Sequence, residues 1–298
     1  MEYDRDYIRP ETRDDWPVDE KTKKVWYVLL DLMKQLDKLC AENNLRWYPL
    51  FGTLLGAVRH NGFIPWDDDV DIGMPREDYD KLIEICSAGL ERPYFLQTTE
   101  SDNECYKYLA ALRNSDTTGN RACCLKLNQN SGIGISIFPL EGCESNITIF
   151  RLRRFPLYVA SVICNTYVNE INMSKKAIML RKILRKIKFD YKKIYNIIEN
   201  INSRHPMYKY DMCTTTLQRD PTTKHIKQQV WKREWFDETK VFPFETISVP
   251  VPCGYDSILQ LFYGDYMKFP PLEKRQAKHD IVYEPDIPYD EYKKKHGL

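Results

Sequence analysis

Four aspartates, Asp67, Asp68, Asp69 and Asp71, crowd into five residues around Val70. Like charges this close repel, so gathering them implies a positive partner. Side chains alternate faces along a strand. A regular strand through this stretch would put Asp67, Asp69 and Asp71 on one side and Asp68 on the other. Asp69 and Asp71, presented together, suit a hard divalent cation bound through oxygen, Mg²⁺ or Mn²⁺ in its place. Val70 and Ile72 alternate with them and would pin the carboxylates to one face, which argues against a merely solvated acidic loop. Upstream, Gly52 and Thr53 form a turn that opens a short helix. Free backbone N–H groups and the positive end of the helix dipole make such a turn an anion site, most naturally for phosphate. Arg59 and His60 add positive charge beside it.

These residues need elements to position them. Val25, Val28, Leu29, Leu32, Leu36 and Leu39 recur at helical spacing and predict a helix over 19–44. "LRWYPLFGTLLGAV" begins as a strand, turns at Gly52 and continues as a short helix. "DDVDIGM" reads as a second strand, with Val70, Ile72 and Met74 alternating with Asp69, Asp71 and Gly73. Pro75 opens another helix that turns Tyr79, Leu82, Ile83 and Cys86 inward. Two more strands are expected at 106–113 and 133–138. Residues 149–201 are helical and basic. The last third holds a short strand ("TISVPVP"), a helix near 255–263 and a Pro-rich tail. The fold class is α+β: a small mixed sheet flanked by helices, with the acidic strand in its middle.

The 44 Lys and Arg nearly balance the 43 Asp and Glu, so net charge gives no sign of a nucleic-acid partner. No stretch approaches the roughly 18 apolar residues of a membrane span. The polar, acidic N-terminus is unlike a secretory signal, and the nine cysteines are scattered without a CxxC. The expectation is a cytoplasmic protein with reduced thiols. Residues 175–201 carry an apolar stripe (Leu180, Ile183, Leu184, Ile187) with Lys182, Arg185 and Lys186 largely off it. Such a helix either packs on the domain or rests peripherally on an anionic inner membrane face. The 20 Tyr, 12 Phe and 6 Trp could also cage a quaternary ammonium, with Trp66, Tyr106, Tyr108, Trp231 and Trp235 as conceivable members. His205, His225 and His296 lack metal-ligand spacing and read as surface residues.

"GTLLGAVRHNGFIPWDDDVDIGM" resembles the LicD family, whose fold is of the nucleotidyltransferase type. "IFPLEG" and "YGDYMKFPPLEKRQAKH" resemble later motifs of the same family, so the likeness runs from about Leu45 to His279 with a divergent middle. The resemblance implies metal-dependent transfer of a substituted phosphate, such as phosphocholine, from a CDP-linked donor to a sugar hydroxyl of a glycan or lipid-linked glycan. Bacterial members are associated with phosphocholine on teichoic acid, lipopolysaccharide or capsule. The animal relatives, fukutin and fukutin-related protein, transfer ribitol phosphate. By position, Asp69 and Asp71 would hold the metal, and Gly52 and Thr53 would form the phosphate turn. Lys274 and Arg275 would lie near the donor phosphates, and His279 belongs to the last motif. The implied organisation is a nucleotidyltransferase-like core at 1–148, a basic helical insertion at 149–230 and a C-terminal segment at 231–298 that completes the donor site.

One position departs from the family pattern. Where relatives carry a third acidic residue, in a stretch like "IDIFPLD", this chain reads "ISIFPLE", with Ser136 in place of the aspartate. A serine hydroxyl binds metal weakly and is no base at neutral pH without an activating partner. Either a second cation binds less tightly, or Asp67 or Glu141 substitutes, or the chain binds nucleotide with little catalysis. A DxD glycosyltransferase is the rival enzyme, but βαβ units should then precede the acidic strand, and none is legible.

Overall fold

The computed structural model describes residues 2–105, 109–168, 191–215, 224–276 and 280–298. Helix α1, Glu20–Asn43, starts where the Asp19 carboxylate accepts a hydrogen bond from the Thr22 N–H at 2.7 Å. That bond satisfies one of the donors a helix start leaves unpaired. Asn44 ends the helix at φ 54°, in the left-handed region that asparagine tolerates. Between these caps Val25, Val28, Leu29, Leu32 and Leu36 are buried, as their spacing predicts. Two further helices follow, α2 at Phe51–Arg59 and α3 at Arg76–Ile85.

The strands, in chain order, are β1 (Glu11–Arg13), β2 (Trp16–Val18), β3 (Tyr48–Pro49), β4 (Asp71–Pro75), β5 (Tyr94–Gln97), β6 (Ala110–Asn114), β7 (Thr118–Arg121) and β8 (Ile133–Cys143). After them come β9 (Met212–Thr215), β10 (Trp231–Lys232), β11 (Thr239–Phe244), β12 (Ile247–Pro252) and β13 (Ile281–Glu284). The main sheet runs β10-β9-β8-β4-β3, with β6 also paired to β8 and β5 to β6. β4 and β8 are parallel and the other pairs antiparallel. The sheet is therefore mixed, with β4 paired on both sides, and the class is α+β. β8 is its spine. Ile133, Ile135 and Ile137 face the core, while Gly134 and Ser136, on the alternate face, are half-buried.

Several local expectations need correction. The strand expected over "DDVDIGM" starts only at Asp71, because Asp67, Asp68 and Asp69 gather in a way that alternation forbids. The Pro-rich C-terminal tail also holds regular elements. β13 pairs antiparallel with β7, itself unforeseen, and the helix Tyr289–His296 follows. In the basic middle, the helices Ile147–Val168 and Tyr191–Asn202 are described. Most of the expected basic helix at 175–201 lies outside the described residues. No helix among the described residues is long and apolar enough to cross a membrane.

Candidate active site

The acidic segment is fixed through its backbone. The Asp67 N–H donates to the Ile64 carbonyl at 2.9 Å. The Trp26 indole N–H donates to the Asp67 carbonyl at 3.2 Å, and the Tyr283 hydroxyl to the Asp68 carbonyl at 2.7 Å. The Ser136 N–H reaches the Val70 carbonyl at 2.9 Å. The Asp71 N–H donates to Thr53 Oγ1 at 2.9 Å, and the Asp71 carbonyl accepts from the Leu50 N–H at 2.9 Å. With the backbone anchored in this way, the side chains of Asp67, Asp68 and Asp69 bring ligand oxygens within 4.8 Å of one another, all three half-buried.

This grouping is not the one expected from strand parity. Asp68 joins Asp67 and Asp69, and Asp71 is not part of the trio. Asp71 instead heads β4, in register with Ser136 of β8. Paired residues on adjacent strands point to the same face and lie roughly 5 Å apart. Ser136 therefore stands beside Asp71, on the half-buried face of the sheet. Glu141, the other proposed substitute, is five residues further along β8, roughly 16 Å away at strand rise. It is buried between Arg76 and Arg154, each at 3.4 Å, and burial raises its pKa. Glu141 is thus a structural partner of two arginines, whereas Asp67 lies within the acidic trio.

α2 brings the phosphate turn to the same place. Phe51 enters the helix at φ 47°, unusual for a bulky residue. Its ring is locked against Phe138, Trp231 and Phe262. Gly52 follows, and a Cβ there would collide with Asp67 Oδ2. The glycine is thus required for the Asp67 carboxylate to lie against the first turn of α2, where the helix dipole favours negative charge. Thr53 is buried, and its hydroxyl accepts the Asp71 N–H. The hydroxyl thereby positions β4.

A cleft of about 550 Å³ opens from Gly52 and Asp67 toward Lys274, walled by Arg59, Trp66 and the 263–271 segment. Arg59 and Lys274 bring positive charge to it. Arg59 is braced by the Tyr266 carbonyl at 2.7 Å and lies 4.9 Å over the Phe269 ring. His60 is not in the cleft. Its side chain is buried, with Nδ1 2.7 Å from Asp14 Oδ2 and Nε2 2.9 Å from Arg59 Nε. Because Arg59 only donates, Nε2 accepts and Nδ1 carries the proton. Burial, then the Arg59 charge, hold this imidazole below its ordinary pKa. His60 is therefore a neutral brace for Arg59. Arg275 is also turned inward: Nε donates to the Pro270 carbonyl at 2.9 Å and Nη1 to that of Asp14 at 2.7 Å, with the guanidinium over Trp66. His279 lies outside the described residues.

Sequence reasoning missed Tyr283, Trp26 and Asp68. Burial, then the charges of Asp68, Asp69 and Asp67, push the Tyr283 phenol well above its usual pKa, so it stays a donor. The available signal was weak: a buried Trp or Tyr needs a partner for its polar tip. Among the described residues, Trp231 and Trp235 do not join Trp66 in the aromatic cage suggested by sequence. Trp231 is buried against Phe51, Phe236 and Phe262. Trp235 packs at Gly254. Tyr106 and Tyr108 lie outside the described residues.

Residues 44–148 match the nucleotidyltransferase domain of the LicD/FKTN/FKRP family. The chain is similar to the lipopolysaccharide cholinephosphotransferase LicD of Haemophilus influenzae, with 26% identity over 265 residues, covering 85% of this chain and 93% of that protein. Shorter likenesses reach uncharacterized proteins of two Rickettsia species. The Rickettsia prowazekii protein is 42% identical over 26% of this chain and 30% of its own length. The Rickettsia typhi protein is 54% identical over 17% of this chain and 16% of its own length.

Proposed function

We propose that this chain, which matches the nucleotidyltransferase domain of the LicD family over residues 44–148, acts as a LicD-type transferase and moves phosphocholine from a CDP-linked donor to a hydroxyl of a surface glycan. The observation that carries this reading is the acidic trio, of which Asp67 lies against the first turn of α2 and lines a cleft that also holds Arg59 and Lys274. Hard oxygen donors this close fit a divalent cation such as Mg²⁺ or Mn²⁺, and the glycine cradle under Asp67 holds one of them in place. We assign Asp67, Asp68 and Asp69 to this cation, with Asp67 standing in for the carboxylate replaced by Ser136, and Asp71 beside Ser136 at the head of β4. A bound cation would supply neutralising charge to the phosphoryl oxygens.

The residues perform the rest. The cleft receives the nucleotide, and Lys274 and Arg59 lie where they offset charge on the departing CMP. The sugar hydroxyl attacks the phosphorus that bears choline, in line with the bond to CMP. A new P–O bond forms as that bond breaks, and the hydroxyl proton passes to a carboxylate of the acidic group. Ser136 beside Asp71 supports a second reading, nucleotide binding without turnover. CMP release separates the two. With CDP-choline and lipooligosaccharide, wild-type protein is expected to release CMP in step with choline incorporation. CDP-choline binding without CMP release, with any of a panel of glycan acceptors, would favour the silent protein.

A further inference from the structure

A second cavity, about 380 Å³, lies across Trp66 and Asp67 from the cleft and shares both residues with it. Four aromatic side chains from separate elements line it: Trp16 of β2, Trp26 of α1, Trp66, and Tyr283 of β13. Trp16 and Trp66 meet edge to face, with centroids 6.1 Å apart and planes at 67°, so two ring surfaces make a corner. The polar tips of two others are already engaged. Trp26 donates to the Asp67 carbonyl and Tyr283 to the Asp68 carbonyl. Tyr283 therefore offers ring carbon to an occupant in place of a hydrogen bond, while Trp26, fully buried, stacked on Phe63 and with Arg13 over its ring, backs the wall.

The charge of this pocket is opposite to that of the cleft. Asp19, Asp67 and Asp68 line it with carboxylates. Lys21, the cation among the described lining residues, stands 3.0 Å from Glu284. Aromatic walls with surplus negative charge attract a cation that has methyl groups in place of N–H donors. Ring quadrupoles attract such a cation, and it brings no N–H donor that would need an acceptor. A primary ammonium would bring three donors that need acceptors. The volume falls in the lower part of the usual range for small-molecule sites, roughly 300–1,000 Å³.

We propose that this pocket is the subsite for the trimethylammonium head of the transferred group, and that it selects a quaternary over a primary ammonium. The assignment rests on the proposed function, because it places the donor phosphates at Asp67, the nucleotide in the cleft and the head group across Trp66. It also gives the β1–β2 hairpin a role. Asp14 in its turn is tied to His60 and Arg275, which holds Trp16 at the pocket.

Calorimetry on the full chain in Mg²⁺, with phosphocholine, phosphoethanolamine and CDP as separate probes, tests this. Wild-type protein should prefer phosphocholine to phosphoethanolamine by roughly tenfold, the size of one or two partly desolvated cation–π contacts. Trp16→Leu should erase the preference and leave CDP affinity unchanged. Trp16→Tyr should restore much of it, and melting temperatures report folding. The inference is overturned if wild-type protein binds the two phosphoamines alike or neither of them, or if folded Trp16→Leu keeps the preference. If the Trp16-dependent preference appears but CDP does not bind, the pocket assignment stands and the nucleotide-donor reading falls.

Discussion

Charge and shape act together at single residues. Asp67 stands near two other carboxylates, over a glycine with no Cβ to displace it, at a helix start whose dipole favours it. Gly52→Ala would put a methyl group where Asp67 Oδ2 sits. The side-chain tip can swing aside, so the fold should survive with a melting temperature within a few degrees of wild type. The carboxylate would be misplaced by about an ångström, which at an active site costs on the order of a hundredfold in rate. Unimpaired CMP release by the variant would contradict the role given to this contact. The acidic run itself was legible in sequence, because four like charges in five residues demand a reason. The donors that hold it were not. Trp26 and Tyr283 come from opposite ends of the chain, and only the tertiary fold brings them to neighbouring carbonyls.

Among elements, the register of β4 against β8 decides how Ser136 is read. Pairing with Asp71 puts the serine beside the acidic segment, at the position where the sequence resemblance expects a carboxylate. On the proposed assignment Asp67 of the acidic trio serves as the replacement, while Glu141 is held by its arginines. Ser136→Asp should therefore give no gain in rate at limiting Mg²⁺, since it adds another charge beside Asp71. Asp67→Asn should lose more than roughly a hundredfold, beyond the cost of an outer-shell partner. Mg²⁺ titrations of initial rate for both variants check this, and a clear gain in Ser136→Asp would reverse the assignment. α1 and the helix Tyr255–Tyr263 were readable because several turns of apolar periodicity repeat the same signal. β13 was not, since four residues in a Pro-rich tail carry too little alternation to outweigh the prolines.

Across the molecule, the N-terminal hairpin, the acidic segment and the C-terminal third close around one site. His60 is one of the joints: it meets Asp14 in the hairpin turn, Arg59 on α2 and the Phe269 ring. Its folded pKa is depressed below 6.5. The unfolded chain therefore takes up a proton below about pH 6.5 that the folded chain refuses, and stability falls as pH drops through that window. Urea midpoints should decline between pH 7.5 and 5.5 more steeply for wild type than for His60→Gln, since His205 and the carboxylates contribute alike to both; parallel profiles would exclude His60 as the source. On the proposed function, the acidic segment binds a CDP-linked donor through a divalent cation. The most direct test of this binding is the affinity for CDP-choline, measured by calorimetry in Mg²⁺ and in EDTA, for wild type and Asp69→Asn. The expected result is wild-type binding that weakens at least roughly tenfold without the cation, as loss of a charge-assisted contact would cause, and an Asp69→Asn protein in Mg²⁺ that behaves like wild type in EDTA. Equal wild-type affinity in Mg²⁺ and EDTA would contradict it.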